Sequence, residues 1–268
     1  MPIAGSAADK PYSLDLADHD SHIDMPKHVN SASRLLLILQ QASSIADATQ
    51  TLEAWAKLLG VEEEKSRRPL VVAERVQAVH RELRLMVEAL EAANFTKNLY
   101  EGHVNRIEHA LSILLLPATW NQVKQYVTAD VLTALAFCAE ILPDEESQIS
   151  DQDIAEICSR LAGLRESLVD ADLPTRLRSL IKHHVELIEQ ALAEYPIAGA
   201  KVFRKAGREA LGEIIEAKDS ISPVRESPAV SKLEAMWKKV NEVADVALKG
   251  EKLAKLGQRA WDLLSGML

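Results

Sequence analysis

The chain reads as an all-α protein, a multi-helix bundle of about eight helices with a C-terminal amphipathic helical appendage. Three observations predict this. Apolar residues make up 47% of 268 positions but aromatics only 4%, so the apolar weight falls on Leu, Ala, Ile and Val among many Glu and Arg, a helix former's alphabet. Apolar positions recur at steps of three and four along most of the chain, and no stretch alternates with a period of two. Pro, Gly, Ser and Asp collect between the periodic runs, where helices start and stop.

Residues 1–28 carry no apolar period and read as an arm. The arm holds "ADHDSHIDMPKH", with His19, His22 and His28 among carboxylates. Imidazole and carboxylate bind zinc in any flexible chain, but Pro26 interrupts the tract and no second ligand set follows at fixed spacing. The tract is therefore expected to be solvated, with no resident metal.

From Ser31, a plausible N-cap, "SASRLLLILQQA" predicts a first helix. Asp47 with Gln50 opens a second that Gly60 closes. Pro69 suits the first turn of a third, whose stripe is Val72, Val76, Val79, Leu83, Met86 and Leu90. A fourth helix carries Tyr100, Val104, Ile107, Leu111 and Leu114 up to Pro117. Thr119 and Gln122 form a capping-box pair for a fifth, running toward Ile141 with a break near Thr128.

Beyond "LPDEESQIS", Ile154, Ile157, Leu161, Leu164 and Leu168 line a sixth helix. Pro174 starts a seventh, which ends at Tyr195 before Pro196. The eighth contains Gly199, Gly207 and Gly212, each costing about 1 kcal/mol relative to alanine, so a close neighbouring backbone is expected. The divisions predicted are the arm at 1–28, a bundle at 29–217 with a sub-boundary near 143–150, a linker at 218–230, and an amphipathic basic helix or helix pair at 231–268. Trp55 and Trp120 fall in apolar pattern and read as core, with indole N–H groups that need partners.

The runs "RLLLILQQA…W…LLG" and "LPTRLRSLIKHHVELIEQALAEYPIAGAKVFRKA" resemble a group of bacterial all-helical proteins of unknown function and cover about half the chain. The resemblance implies a bacterial, cytosolic protein and no particular activity.

Charge and motifs exclude several chemistries. Residues 1–200 carry 18 basic and 30 acidic side chains, whereas residues 201–268 carry 13 and 10. The acidic body should repel nucleic acid, and any contact with an anionic surface would come through the C-terminal quarter. Cys138 and Cys158 lie in helical pattern and suit a reducing cytosol. No secretory signal is evident, and the longest apolar runs fall short of the roughly 18 residues of a membrane span. There is no phosphate-binding loop, dinucleotide fingerprint, nucleophile elbow, His-Glu-x-x-His or Glu-x-x-His. No cofactor and no small-molecule substrate are implied.

One enzymatic pattern survives. HEPN ribonucleases, all-helical and metal-independent, carry Arg followed four to six residues later by His, a pair that activates a ribose hydroxyl and stabilises the phosphorane. Arg75…His80 and Arg178…His183 or His184 have this spacing, and Ser179 supplies the polar residue that usually follows the Arg. The plainer reading makes His184 a residue at the core margin and His183 a solvated neighbour of Glu186. His103 and His109 likewise read as surface residues of the fourth helix.

The C-terminal stretch shows Leu233, Met236, Val240, Val243 and Ala247 at heptad-like steps, then a shifted stripe of Leu253, Leu256, Ala260, Leu263 and Met267 past Gly250. Lys252, Lys255 and Arg259 flank the second stripe. The residues expected to meet a partner or lipid are Trp237, Lys252, Leu253, Lys255, Leu256, Arg259 and Trp261. The favoured expectation is a non-enzymatic module that works by association with a protein partner or with itself, in the cytoplasm or peripherally at an anionic membrane surface. Its rivals are a membrane-associating effector acting through residues 229–268 and a ribonuclease using Arg178 and His183.

Overall fold

A computed structural model describes residues 28–169, 173–217 and 227–248. Among them the fold is all-α. A first group of helices comprises α1 (Ser31–Ser44), α2 (Thr51–Leu58), α3 (Arg68–Ala92), α4 (Glu101–Ala110), the single turn α5 (Asn121–Lys124) and α6 (Ala129–Ile141). A second comprises α7 (Asp151–Ser167), α8 (Thr175–Ala198), α9 (Lys201–Glu216) and α10 (Pro228–Ala247). Each group has its own apolar core, with Ile197 at the end of α8 reaching into the first.

The first core forms because every stripe residue of α3 is withdrawn from water, from Val72 to Leu90, each such burial stabilising by roughly 1.5–3 kcal/mol. Trp55 and Trp120 pack edge to face with ring centres 5.2 Å apart, and the Trp120 indole N–H donates to the Ala42 carbonyl at 3.0 Å. Asn30, not Ser31, caps α1. Its side chain accepts from the Ser33 amide, and the Ser33 hydroxyl accepts from the Asn30 amide, both at 3.0 Å. The Asn30 amide group also donates to the carbonyls of Ala139 and Leu142, which ties the start of α1 to the end of α6.

Four other expectations shift. Helix α2 starts at Thr51 rather than near Asp47, because the amides of Thr51 and Leu52 find the carbonyls of Ala118 and Leu116. Helix α4 stops at Ala110, a separate 3₁₀ turn follows, and Leu114 is 83% exposed. Helix α8 runs through Pro196 and ends at Gly199, whose φ of 70° only glycine adopts without strain. The neighbours of Gly199 and Gly207 are side chains, Glu146 and Asn241, while a side chain at Gly212 would meet nothing within 4 Å.

Helix α10 packs against both α7 and α9, so it buries adjacent pairs, Met236 with Trp237 and Val243 with Ala244, rather than one stripe. Its first three residues fall where a linker was expected. The first half of the C-terminal stretch is thus the fourth helix of the second bundle.

A buried ionic cluster joins the two groups. Arg34 of α1 pairs with Glu82 of α3 at 2.7 Å, with Glu145 at 2.5 Å and with Glu146 at 3.3 Å. Lys201 of α9 pairs with Glu82 at 2.7 Å, and the Ala200 amide donates to Glu146 at 2.7 Å. Burial pushes the Glu146 carboxyl above its ordinary value, against the pull of Arg34, the Ala200 amide and Lys201. Burial opposes charge on Glu145 too, but Arg34 and Ser31 outweigh it and hold that carboxyl below the usual range. No helix among the described residues is long and apolar enough to cross a membrane.

Candidate functional site

Chemistry-bearing side chains converge where α8, α9 and α10 meet. His183 and His184, consecutive on α8, both face Glu213 of α9. His183 Nε2 lies 2.8 Å from Glu213 Oε1, and His184 Nε2 lies 3.4 Å from Oε2. The His184 ring is fully buried and its Nδ1 accepts the indole N–H of Trp237 at 2.7 Å. A neutral imidazole has one N–H, so with Nδ1 accepting, the proton sits on Nε2 and faces the carboxylate. Burial, then the adjacent His183, pushes the His184 pKa down from 6.5 to about 4, which keeps the ring neutral at physiological pH.

Glu209, one turn before Glu213, adds a second carboxylate. His183, Glu209 and Glu213 each bring a ligand atom within 4.8 Å of the others. Beside them opens a cleft of about 480 Å³, lined by Arg176, Ser179, His183, Glu213 and Glu216 with apolar side chains between.

The sequence-expected residues divide. His183 belongs to this cluster. Arg178 donates instead to the carbonyls of Leu168 and Leu173, at 3.1 and 3.3 Å, just past the end of α7 and just before the start of α8. Arg75 pairs with Glu194 across α3 and α8 at 3.3 Å. Trp237, expected at a partner or lipid contact, is core: packing on two helices buries it completely, and its N–H is taken by His184. Lys252, Leu253, Lys255, Leu256, Arg259 and Trp261 lie outside the described residues, as do His19 and His22. His28 sits 3.1 Å from Asp144 at the foot of α1.

A second feature is an apolar groove of about 660 Å³ between α4 and α6. Leu90, Phe95, Leu99, Phe137, Cys138 and Ile141 form much of its surface, with His103 and Asp130 also lining it. Phe137 is 63% and Leu99 70% exposed, although both face apolar neighbours. The Tyr100 hydroxyl, also in the lining, is buried without a hydrogen-bond partner. Sequence periodicity gave no sign of the groove, because Phe137 and Leu99 are apolar residues that reading alone assigns to a core.

No family model, curated protein or solved structure matches the chain.

Proposed function

We propose that the chain is a non-enzymatic helical association module whose α4–α6 groove takes the apolar side of an amphipathic helix, namely the C-terminal stretch beyond Leu248 of a second copy. The observation that carries this reading is the exposure of Phe137 and Leu99 in one groove. Single exposed apolar side chains need no explanation, but two in one apolar cleft mark a surface that gains by being covered.

Helix-in-groove docking needs anchors at helical steps, and Leu253, Leu256, Ala260 and Leu263 have them. Lys252, Lys255 and Arg259 beside that stripe carry charge opposite to that of the acidic body.

Light scattering on the full chain tests the reading, with Leu253→Asp/Leu256→Asp as the comparison. A dimer that the double substitution converts to monomer is expected. A full chain that is monomeric overturns it, and monomers that bind anionic vesicles would favour the membrane reading instead.

A further inference from the structure

We propose that His183, Glu209 and Glu213 form a binding site for a divalent transition-metal ion of the zinc class, independent of the association surface. The argument starts from what His183 and Glu213 do not do. Their Nε2 and Oε1 atoms stand 2.8 Å apart, yet His183 Nε2, His184 Nε2 and Glu213 Oε2 are all shielded from solvent and none makes a hydrogen bond of acceptable geometry. Polar atoms left in this way forfeit the hydrogen bonds that water would give them. A cation held between His183 Nε2 and Glu213 Oε1 resolves the deficit of His183, because it needs lone pairs converging on a point rather than an N–H aligned on an oxygen.

The donor set fits that ion. Zinc accepts imidazole nitrogen and carboxylate oxygen at about 2.0–2.2 Å, which places ligand atoms around one ion roughly 3.3 Å apart at tetrahedral angles. His183 and Glu213 are already close to that separation. Glu209 is exposed and one helical turn away on the same face of α9, so its rotation completes the set within the 4.8 Å span.

His184 is not a ligand. The Trp237 indole fixes its proton on Nε2, and that N–H faces Glu213 Oε2. It therefore has no lone pair to offer an ion and stands beside the Glu213 carboxylate, whose Oε1 is turned to His183. Three protein ligands leave coordination positions open, and His183 and Glu213 both line the neighbouring cleft. The site can thus admit water or a small anion.

The test is calorimetric titration of the full-length protein with zinc, in a His19→Ala/His22→Ala/His28→Ala background that removes the arm's competing histidines. One equivalent is expected to bind. His183→Ala, Glu209→Gln and Glu213→Gln should each weaken binding at least tenfold while helix content, read by circular dichroism, stays unchanged. Cobalt(II) offers a second readout, since its visible absorption reports inner-shell nitrogen and carboxylate ligation and should be lost in Glu213→Gln. No binding, or binding to His183→Ala as tight as to the parent, overturns the site. Glu209→Gln indistinguishable from the parent overturns the three-ligand set.

Discussion

Arg34 and Glu82 meet at 2.7 Å with side chains 7% and 1% exposed, inside a cluster in which Lys201 also reaches Glu82 and Glu145 and Glu146 also reach Arg34. Removing one partner from such a pair leaves a buried charge unpaired and costs about 3–5 kcal/mol, more than the pair itself contributes over an apolar substitute. Arg34→Met should therefore lower unfolding stability by about that amount in urea titration, since Glu82, Glu145 and Glu146 all lose their shared cation. Arg34→Met combined with Glu82→Gln should recover part of the loss. If the single substitution costs under about 1 kcal/mol, the cluster is not the junction described above.

Gly199 and Gly212 lie 13 residues apart on the chain and should respond oppositely to the same change. At Gly199, a φ of 70° is unfavourable for alanine and a β-carbon would overlap the Glu146 carboxylate. Gly199→Ala should cost about 1–3 kcal/mol. At Gly212, inside α9 with open space around it, alanine should stabilise by about 1 kcal/mol. Thermal melts of the two variants decide both.

His184 makes stability depend on pH in a defined window. Its folded-state pKa of about 4 lies below the ordinary 6.5, so between those values the unfolded chain binds a proton that the native state excludes. The contribution is complete above pH 6.5 and is lost as pH falls toward 4, by at most about 1.4 kcal/mol per unit. The groups that face the ring are His183 on its own helix, Glu213 from α9 and the Trp237 indole from α10. Urea unfolding of the parent should fall more steeply over this range than that of His184→Gln, and parallel slopes would remove His184 as the cause.

Phe137→Asp should abolish self-association without weakening the fold. The side chain is mostly exposed, and substitutions at such positions usually change stability by no more than about 0.5 kcal/mol. A light-scattering mass that drops to one chain, with an unshifted melting temperature, is the expected result. An unchanged mass would place the contact elsewhere.

How legible each feature was in the sequence depended on whether its partners were local. The α3 stripe was plain because six residues at steps of three and four lie on one face of one uninterrupted helix. Leu114 fitted the same periodicity and misled, since period alone does not register the 3₁₀ turn that ends α4 early. Glu-x-x-His is a pattern along one helix, whereas His183 lies on α8 and Glu209 and Glu213 on α9. Arg34 was hidden inside "RLLLIL", and Glu145 and Glu146 were hidden in a stretch whose composition is that of a solvated loop. Trp237 was misplaced because a helix packed on two neighbours buries adjacent positions, which a single-stripe template sends to the surface.

The connection from Leu142 to Ile149 looks, by composition, like the place to cut or lengthen the chain, being polar and proline-bearing. Yet its amides at Glu145 and Ser147 bond to the carbonyls of Val29 and Ala247, and two of its glutamates hold Arg34 while one also holds Ala200. Tolerance of cleavage and insertion follows backbone bonding and burial rather than polarity. The segment thus acts as a clasp rather than a tether, and a protease or an inserted tag would find it among the least forgiving loops of the molecule.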